Sequence, residues 1–167
     1  MLIILGGLPG VGKTTIAREL AKQLRAVHIR IDSIENAIVR SSLKVEDAID
    51  SGYLVGYSIA EDNLKIGRTV IADSVNSIEI TRKGWRAVAK KSGCRYLQVE
   101  IICSNKDLHK QRVETRKSDI NNFRLPDWKK VEERDYHKWN DVDLVVDSSE
   151  AISSSIKRII ERINGGR

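Results

Sequence analysis

The chain has 167 residues, of which 41% are hydrophobic, and 29 Lys and Arg residues against 23 Asp and Glu residues give it a net charge of +6 at pH 7. This length and composition predict one globular domain over residues 1–167, because no long apolar span and no Pro/Ser-rich linker interrupts it. The basic residues are scattered among acidic ones, which disfavours a nucleic-acid-binding class. The opening apolar run is too short for a signal peptide, so we expect a cytoplasmic protein without a membrane partner.

One motif near the start of the chain carries most of the chemistry. It matches the P-loop pattern G-x-x-x-x-G-K-[ST] and consists of Gly7, Leu8, Pro9, Gly10, Val11, Gly12, Lys13, Thr14 and Thr15. The glycines allow backbone N–H groups to surround phosphates, and Lys13 adds a positive charge for the outer phosphates. Thr14 supplies a hydroxyl oxygen of the kind that binds Mg²⁺. The motif therefore predicts a site for ATP and Mg²⁺.

The flanking residues agree with this interpretation. Residues 2–5 form a short apolar run typical of a buried strand, and Ile16, Leu20 and Leu24 follow the motif at helical spacing. A glycine turn that only joins a strand to a helix would not require Lys13 and Thr14. The order strand, loop, helix is the context that the P-loop needs.

Strand and helix patterns then alternate along the chain. The further strands are predicted at 27–31, 69–72, 96–103 and 144–146, and the further helices at about 33–40, 53–66, 78–91, 106–117 and 127–138, with a last helix after Asp147. Gly52 and Gly56 are expected to loosen the start of the helix over 53–66, and residues 118–126 to form a loop. This alternation predicts an α/β fold with a parallel sheet and helices on both faces.

The last helix has its own pattern. Asp147 is expected to cap it, with Glu150 three residues further on as in a capping box. Its buried face is predicted to contain Ile152, Ile156, Ile159, Ile160 and Ile163. Elsewhere, Cys94 and Cys103 are too few for a disulfide framework and are interpreted as buried thiols, and Trp85, Trp128 and Trp139 as packing residues.

Two predicted strands are followed by aspartates, Asp32 and Asp73. Ligands bind at the carboxyl ends of strands in open parallel sheets, so both carboxylates are expected near the P-loop. The apolar run before Asp73 is typical of a Walker B strand, which makes Asp73 a candidate Mg²⁺ ligand with Thr14. Each aspartate could instead only cap the turn or helix that follows it.

Several P-loop classes lack their signatures here. A GTPase would carry N-K-x-D after the fourth strand, but Asp107 stands one position early after Asn105 and Lys106, and no D-x-x-G follows Asp73. The chain also leaves no room for the added helical domain of a remodelling ATPase, although generic labels would class it as AAA-type.

With its P-loop at the start, Asp32, Asp73 and the pair Arg112 and Arg116 ahead of a polar loop, the chain resembles the small P-loop kinases. The similar group includes chloramphenicol phosphotransferase, gluconate kinase, zeta toxins and polynucleotide 5′-kinases. The resemblance implies a three-layer P-loop NTPase fold, a five-stranded parallel sheet of order 2-3-1-4-5, and a lid at about 106–126. It also implies ATP- and Mg²⁺-dependent transfer of the γ-phosphoryl group to a hydroxyl or phosphate of a small molecule.

The resemblance also implies roles for individual residues. Asp32 would accept the proton of the acceptor, Asp73 would lie near the metal, and Arg112 and Arg116 would be lid arginines on one helix face. Many relatives carry an arginine where this chain has Glu35, which weakens the case for an anionic acceptor. Arg40 or Arg82 could replace that arginine.

Acceptor recognition is assigned to residues 32–63. The polar and aromatic candidates in that stretch are Glu35, Asn36, Tyr53, Tyr57 and Asn63, although the two tyrosines lie four apart and are more often core residues. Two other functions stay open: a polynucleotide or nucleotide kinase, and a nucleotide-binding regulatory module or toxin without small-molecule turnover.

Overall fold

The alternating strand and helix patterns produce one parallel sheet. A computed structural model describes residues 1–42 and 44–165. The strands are β1 (Leu2–Gly6), β2 (Val27–Arg30), β3 (Val70–Asp73), β4 (Tyr96–Ile102) and β5 (Leu144–Asp147). Their order is β2-β3-β1-β4-β5, and every neighbouring pair is parallel. The predicted fold class and strand order are confirmed.

Seven helices surround the sheet in the described part of the chain. They are α1 (Lys13–Leu24), α2 (Ile31–Val39), α3 (Ser51–Lys65), α4 (Glu79–Lys91), α5 (Lys106–Thr115), α6 (Trp128–Glu132) and α7 (Ile152–Asn164). Each predicted helix is present, but α6 is much shorter than expected, and 118–126 contains neither helix nor strand, as predicted. None of the described helices is long and apolar enough to cross a bilayer.

Alternate residues of β1 feed two separate cores. Ile3 and Leu5 pack on one face of the sheet with residues of α1 and α7, whereas Leu2 and Ile4 pack on the other with residues of α3 and α4. Both faces of the central strand are therefore buried, which explains its continuous apolar run. Ile156, Ile159 and Ile163 of α7 are buried in the first core, while Ile152 and Ile160 lie at its margin.

The aromatic and sulfur-containing residues have different environments. Trp85 and Trp139 are buried in the second core, as predicted for packing residues. Trp128 is only half-buried and stands edge-on to His109, with the ring centroids 5.1 Å apart. Cys94 and Cys103 are free and half-buried, so the expected burial is only partial.

Two helix starts differ from the prediction. The strand before Asp32 ends at Arg30 and α2 begins at Ile31, so Asp32 lies in the first turn of the helix and is neither a strand end nor a cap. Asp147 does not cap α7, which starts five residues later after Ala151 without a side-chain cap. The Asp147 carboxylate instead accepts hydrogen bonds from the backbone N–H groups of Ser104 and Ser149.

The two glycines of α3 serve close packing. Both are buried, and a Cβ on Gly56 would overlap Ile31, while one on Gly52 would overlap the Glu35 side chain. The helix starts at Ser51 and contains both glycines, so the predicted loosening of its start is wrong. The missing side chains let α2 and α3 approach each other.

Candidate active site

The P-loop wraps where β1 ends and α1 begins. Gly7 and Gly10 have φ values of 136° and 89°, in the region that favours glycine. A Cβ at Gly7 would overlap the carbonyl oxygen of Ile101, and one at Gly10 would overlap the Val113 side chain. These glycines are therefore required both by conformation and by space.

The helix start beyond the loop is left open for an anion. Gly12, the N-cap of α1, provides no side-chain hydrogen bond, so the first N–H groups of the helix lack a capping partner. The positive end of the helix dipole lies at the same place. Free backbone N–H groups and the helix dipole are the features that bind phosphate at helix N-termini.

Lys13 is held inside this loop. Its side chain is 9% exposed, and Nζ donates a hydrogen bond of 3.0 Å to the carbonyl oxygen of Leu8. Burial lowers the pKa of Lys13 to about 8, against the attraction of the Asp73 and Asp32 carboxylates. An incoming phosphate would raise this pKa again, because a nearby anion favours the protonated amine.

Asp73 lies at the end of β3, beside the end of β1. It is paired in register with Leu5, is 3% exposed, and its Oδ2 lies 3.0 Å from Nε2 of His28. Thr14 stands in the first turn of α1. Among the described residues, no three His, Cys, Asp or Glu side chains form a metal cage. A carboxylate and a hydroxyl fit Mg²⁺, which in phosphate sites takes its other ligands from phosphates and water.

Asp32 and Glu35 lie on α2, one turn apart. Burial raises the pKa of the Asp32 carboxyl, while the positive charge of Lys13 opposes the shift. Burial also raises the pKa of Glu35 to about 7, with further repulsion from Asp32 and Asp47. The fold thus brings Asp32, Asp73 and Lys13 within electrostatic range of one another.

Arg112 and Arg116 do not point the same way. Arg112 donates hydrogen bonds to the hydroxyl and carbonyl oxygens of Ser148, at 3.0 and 2.9 Å. Arg116 follows the end of α5 in an extended conformation. The expectation that both side chains share one helix face is therefore wrong, because the helix ends at Thr115.

Arg116 lies close enough to Lys13 and Asp32 to interact with both electrostatically. Its Nε and Nη2 are buried and find no hydrogen-bond partner in the part of the chain that the structure describes. Burial lowers the pKa of its guanidinium, which interacts with the charges of Asp32 and Arg30. Unpaired buried guanidinium nitrogens are costly, so this geometry suits an anionic ligand.

The predicted lid loop is tied to the rest of the site through Asp119. Its carboxylate forms ion pairs with Arg18 of α1 and Arg30 of β2, the latter at 2.9 Å. These arginines hold the pKa of Asp119 down at about 2. A further hydrogen bond of 3.1 Å runs from Nδ2 of Asn36 to the carbonyl of Asn121.

Three residues of this site are missing from the sequence-based set: His28, Arg30 and Arg134. The alternation of β2 places His28 and Arg30 on one face of the strand, in register with Ile71 and Asp73, and that period could have revealed them. Arg134 lies beyond the end of α6 in a charged stretch without any distinguishing pattern. It interacts electrostatically with Lys13 and Glu35.

A cavity of about 520 Å³ lies next to the P-loop, between α5 and α6. Arg134 lines it together with Leu8, His109, Trp128 and Tyr136. His109 is buried and its Nε2 lies 2.9 Å from the carbonyl oxygen of Pro9, which braces the loop against α5. Arg134 thus lines this cavity and also interacts electrostatically with Lys13 and Glu35.

The proposed acceptor residues separate into two groups. Tyr53 lies near the site. Its hydroxyl accepts a hydrogen bond from the N–H of Asn76 at 3.4 Å, and burial, together with the charges of Glu35 and Asp32, raises its pKa. Tyr57 donates to the carbonyl of Thr81, and Asn63 to that of Ile59 in its own helix. These two residues have structural roles.

Neither alternative arginine compensates for Glu35. Arg82 is 1% exposed and donates hydrogen bonds to the carbonyl oxygens of Asn76, Ser77, His137 and Lys138. Its guanidinium is therefore fully used in packing, and the suggested role in acceptor binding is wrong. Arg40 is exposed at the end of α2.

The strand order, the glycine loop and the lysine that opens α1 together define a P-loop NTPase fold. A family model described as an AAA domain matches residues 2–134, which is most of the chain. The chain belongs to this AAA domain family.

Solved kinase structures share the fold over almost the whole chain. The Mycobacterium tuberculosis APS kinase CysC in complex with AMPPNP and APS is 15% identical, with a TM-score of 0.70 and coverage of 98% of this chain and 96% of that one. A gluconokinase from Sinorhizobium meliloti 1021 is 14% identical, with a TM-score of 0.66 and coverage of 97% and 94%. The resemblance to small P-loop kinases is confirmed at the level of the fold.

A further match is Chaetomium thermophilum Kti12 in complex with ADP-AlF3. It is 22% identical, with a TM-score of 0.70 and coverage of 97% of this chain and 98% of that chain. Nucleotide-bound proteins are therefore present among the matching structures.

Proposed function

We propose that this protein is an ATP- and Mg²⁺-dependent kinase that transfers the γ-phosphoryl group to a hydroxyl of a small molecule. The observation that carries the proposal is the Arg116 guanidinium, whose buried Nε and Nη2 have no hydrogen-bond partner among the described residues and whose charge acts on Asp32 and Lys13. A site that only binds phosphate would need no more than the P-loop and its Lys13. The addition of the partly buried Asp32 carboxylate and an arginine supports phosphoryl transfer.

The reaction requires little covalent chemistry from the protein, since positioning and charge neutralisation supply most of the catalysis. The acceptor oxygen forms a bond to the γ-phosphorus, and the bond from that phosphorus to the bridging oxygen breaks to release ADP. Lys13 and Arg116 neutralise charge on the transferred group. Asp32 orients the acceptor hydroxyl and takes its proton, a role that its raised pKa suits.

The oxygen donors present also suit Mg²⁺. Thr14 and Asp73 would hold the ion, directly or through water, with His28 fixing the Asp73 carboxylate. Bound Mg²⁺ supplies positive charge to the phosphate oxygens. His28 thus acts on the site through Asp73.

The matching structures support a nucleotide and a small acceptor. The APS kinase was solved with AMPPNP and APS in the same complex, and Kti12 with ADP-AlF3. The APS kinase complex holds two ligands at once, as a kinase must when it transfers a phosphoryl group from one molecule to another. We infer a similar pair of sites here, with the acceptor over the ends of β2 and β3.

The test is to incubate the full chain with Mg-ATP and a pooled metabolite extract, and to seek a product heavier by one phosphate by mass spectrometry. Lys13→Met is expected to abolish the product and to remove the rise in Tm that Mg-ATP causes in the parent, since a ligand specific for the native state stabilises it. Lys22→Met, an exposed lysine of α1, is the matched control.

Equal stabilisation of the parent and Lys13→Met by Mg-ATP would contradict the P-loop assignment. Loss of ATP without a phosphorylated product would favour a nucleotide-binding module. Transfer of the phosphoryl group to the end of an added oligonucleotide would instead support the alternative of a polynucleotide kinase.

A further inference from the structure

The acceptor side of the site contains two carboxylates that lack protein partners. Asp32 and Glu35 lie three residues apart on α2, and in the described ranges neither carboxylate accepts a hydrogen bond or forms an ion pair. Residues three apart on a helix are neighbours on its surface. Partly buried carboxylates without donors leave their hydrogen-bonding capacity for a ligand.

The Glu35 side chain is confined by α3. The absence of a side chain at Gly52 makes room for it, since a Cβ there would overlap Glu35 Cγ and approach Oε1 to 3.1 Å. The hydroxyl of the next residue, Tyr53, lies within electrostatic range of the same two carboxylates. The packing of α2 against α3 therefore holds the Glu35 side chain in its position on the same face of α2 as Asp32.

The charges that act on Glu35 itself are mainly negative. Arg134 is the cation that favours the ionised form of Glu35, yet burial and the charges of Asp32 and Asp47 outweigh it, and the pKa of Glu35 rises to about 7. Arg30 forms an ion pair with Asp119, and Arg116 interacts electrostatically with Asp32 and not with Glu35 in the pKa shifts of these groups. A further anion next to Glu35 would add to the repulsion, whereas a hydrogen-bond donor would relieve it.

We propose that Glu35 selects the phosphoryl acceptor, and that the acceptor is a neutral or cationic molecule that is free of phosphate and carboxylate groups. One hydroxyl of this acceptor molecule binds to Asp32. A second donor group of the molecule, a hydroxyl or an ammonium group, lies ~5 Å from that hydroxyl, the length of one helical turn, and binds to Glu35. The inference rests on the proposed kinase function. It narrows the acceptor to polyols, amino alcohols and amino sugars.

The experiment separates acceptors by charge. A metabolite extract is divided at pH 7 on an anion exchanger into an unbound fraction, with neutral and cationic molecules, and a bound anionic fraction. Each is incubated with the full chain, Mg²⁺ and ATP labelled in its γ-phosphate. We expect the labelled product to form from the unbound fraction, at least tenfold above the bound fraction. Product formation mainly from the anionic fraction would overturn the proposal.

Variants of Glu35 then test the residue itself with the acceptor so found. Glu35→Gln keeps the shape of the side chain but replaces the carboxylate with an amide, which is a weaker hydrogen-bond acceptor. The KM for the phosphoryl acceptor should therefore rise about tenfold or more, while kcat and the KM for ATP should change less than threefold. Glu114→Gln on the exposed side of α5 is the control and should match the parent. An unchanged acceptor KM in Glu35→Gln would overturn the assignment of Glu35.

These outcomes differ from a failure of the kinase function. If Mg-ATP raises the Tm of the parent but neither fraction yields a labelled product, the proposed function falls, and the acceptor inference with it. If a product forms, the function stands and the fraction that contains it decides the acceptor class.

Discussion

Asp32 and Asp73 show how two similar carboxylates acquire different surroundings. Asp73 ends β3 next to the P-loop strand and is held by His28, whereas Asp32 lies on α2 after the edge strand β2 and has Arg116 and Arg30 nearby. The carboxylate next to the P-loop strand suits the metal, and the outer one suits the acceptor.

Conservative variants separate these two roles. Asp32→Asn should reduce kcat by about a hundredfold or more while nucleotide affinity changes little, because it removes only the proton acceptor. Asp73→Asn should instead raise the Mg²⁺ concentration needed for half-maximal rate. Steady-state kinetics over a Mg²⁺ series measures both effects, and a shifted Mg²⁺ requirement in Asp32→Asn would reverse the assignment.

Lys13 gives a prediction about stability. Its pKa is about 8 in the folded chain and 10.5 in the unfolded reference, so only the unfolded chain binds this proton between pH 8 and 10.5. Raising the pH through this window therefore increases the free energy of unfolding contributed by this group. We expect the free energy of unfolding of the parent, measured with urea, to rise relative to that of Lys13→Met by about 2–3 kcal/mol between pH 8 and pH 10.5. A constant difference would contradict the lowered pKa.

At the scale of elements, the end of α5 decides what its two arginines do. Arg112 lies within the helix and holds Ser148, whose side chain is the nearest neighbour of a Cβ built on Gly12. Arg116 lies one residue beyond the helix and interacts electrostatically with Asp32. The spacing of four predicts a shared face only while the helix continues.

Alanine variants should therefore behave differently. Arg116→Ala should lower kcat by about a hundredfold or more, as for an arginine that neutralises transferred phosphate, with a smaller change in ATP affinity. Arg112→Ala should mainly weaken nucleotide binding, since it supports a segment beside the P-loop. Lys117→Ala is the exposed control. Rates within about threefold of the parent in Arg116→Ala would remove its proposed role.

The 118–126 segment is held by contacts from three elements. Asp119 joins α1 and β2 through Arg18 and Arg30, and Asn121 joins α2 through Asn36. The side chains of Arg18 and Asp119 are 50% and 45% exposed, so their ion pair contributes at most about 1 kcal/mol and is weakened by salt. These contacts hold the segment against α1, β2 and α2 without a large stabilisation.

At the scale of the whole molecule, one buried arginine joins distant parts of the chain. Arg82 of α4 binds four carbonyl oxygens, including those of His137 and Lys138, and stacks on Trp139 at 4.7 Å. Trp139 in turn packs against Gly6, the last residue of β1. The chain after α6 is thereby attached to the sheet beneath the P-loop.

Removal of this arginine should weaken the entire fold. Arg82→Ala leaves several buried carbonyl oxygens without donors and creates a cavity, so we expect a loss of about 3–5 kcal/mol in the free energy of unfolding. Urea denaturation followed by circular dichroism measures it. Lys83→Ala, the exposed neighbour on α4, should lie within about 0.5 kcal/mol of the parent. A loss below about 1 kcal/mol in Arg82→Ala would contradict this structural role.

Local pattern was sufficient for the framework of this protein. The P-loop and the strands on either side of it could be predicted, because loop glycines and apolar periodicity are set by residues close together in the chain. Asp32 and Asp73 were expected at the same sheet edge, since the carboxyl ends of parallel strands share one edge.

Only the tertiary structure decided which charges meet at the site. Arg134 approaches Lys13 and Glu35 from a segment about a hundred residues away, and Arg116 turns inward because α5 ends just before it. The raised pKa of Glu35 likewise depends on burial by α3 and on Asp47. Such charge environments arise from long-range packing, which residue type and spacing alone do not encode.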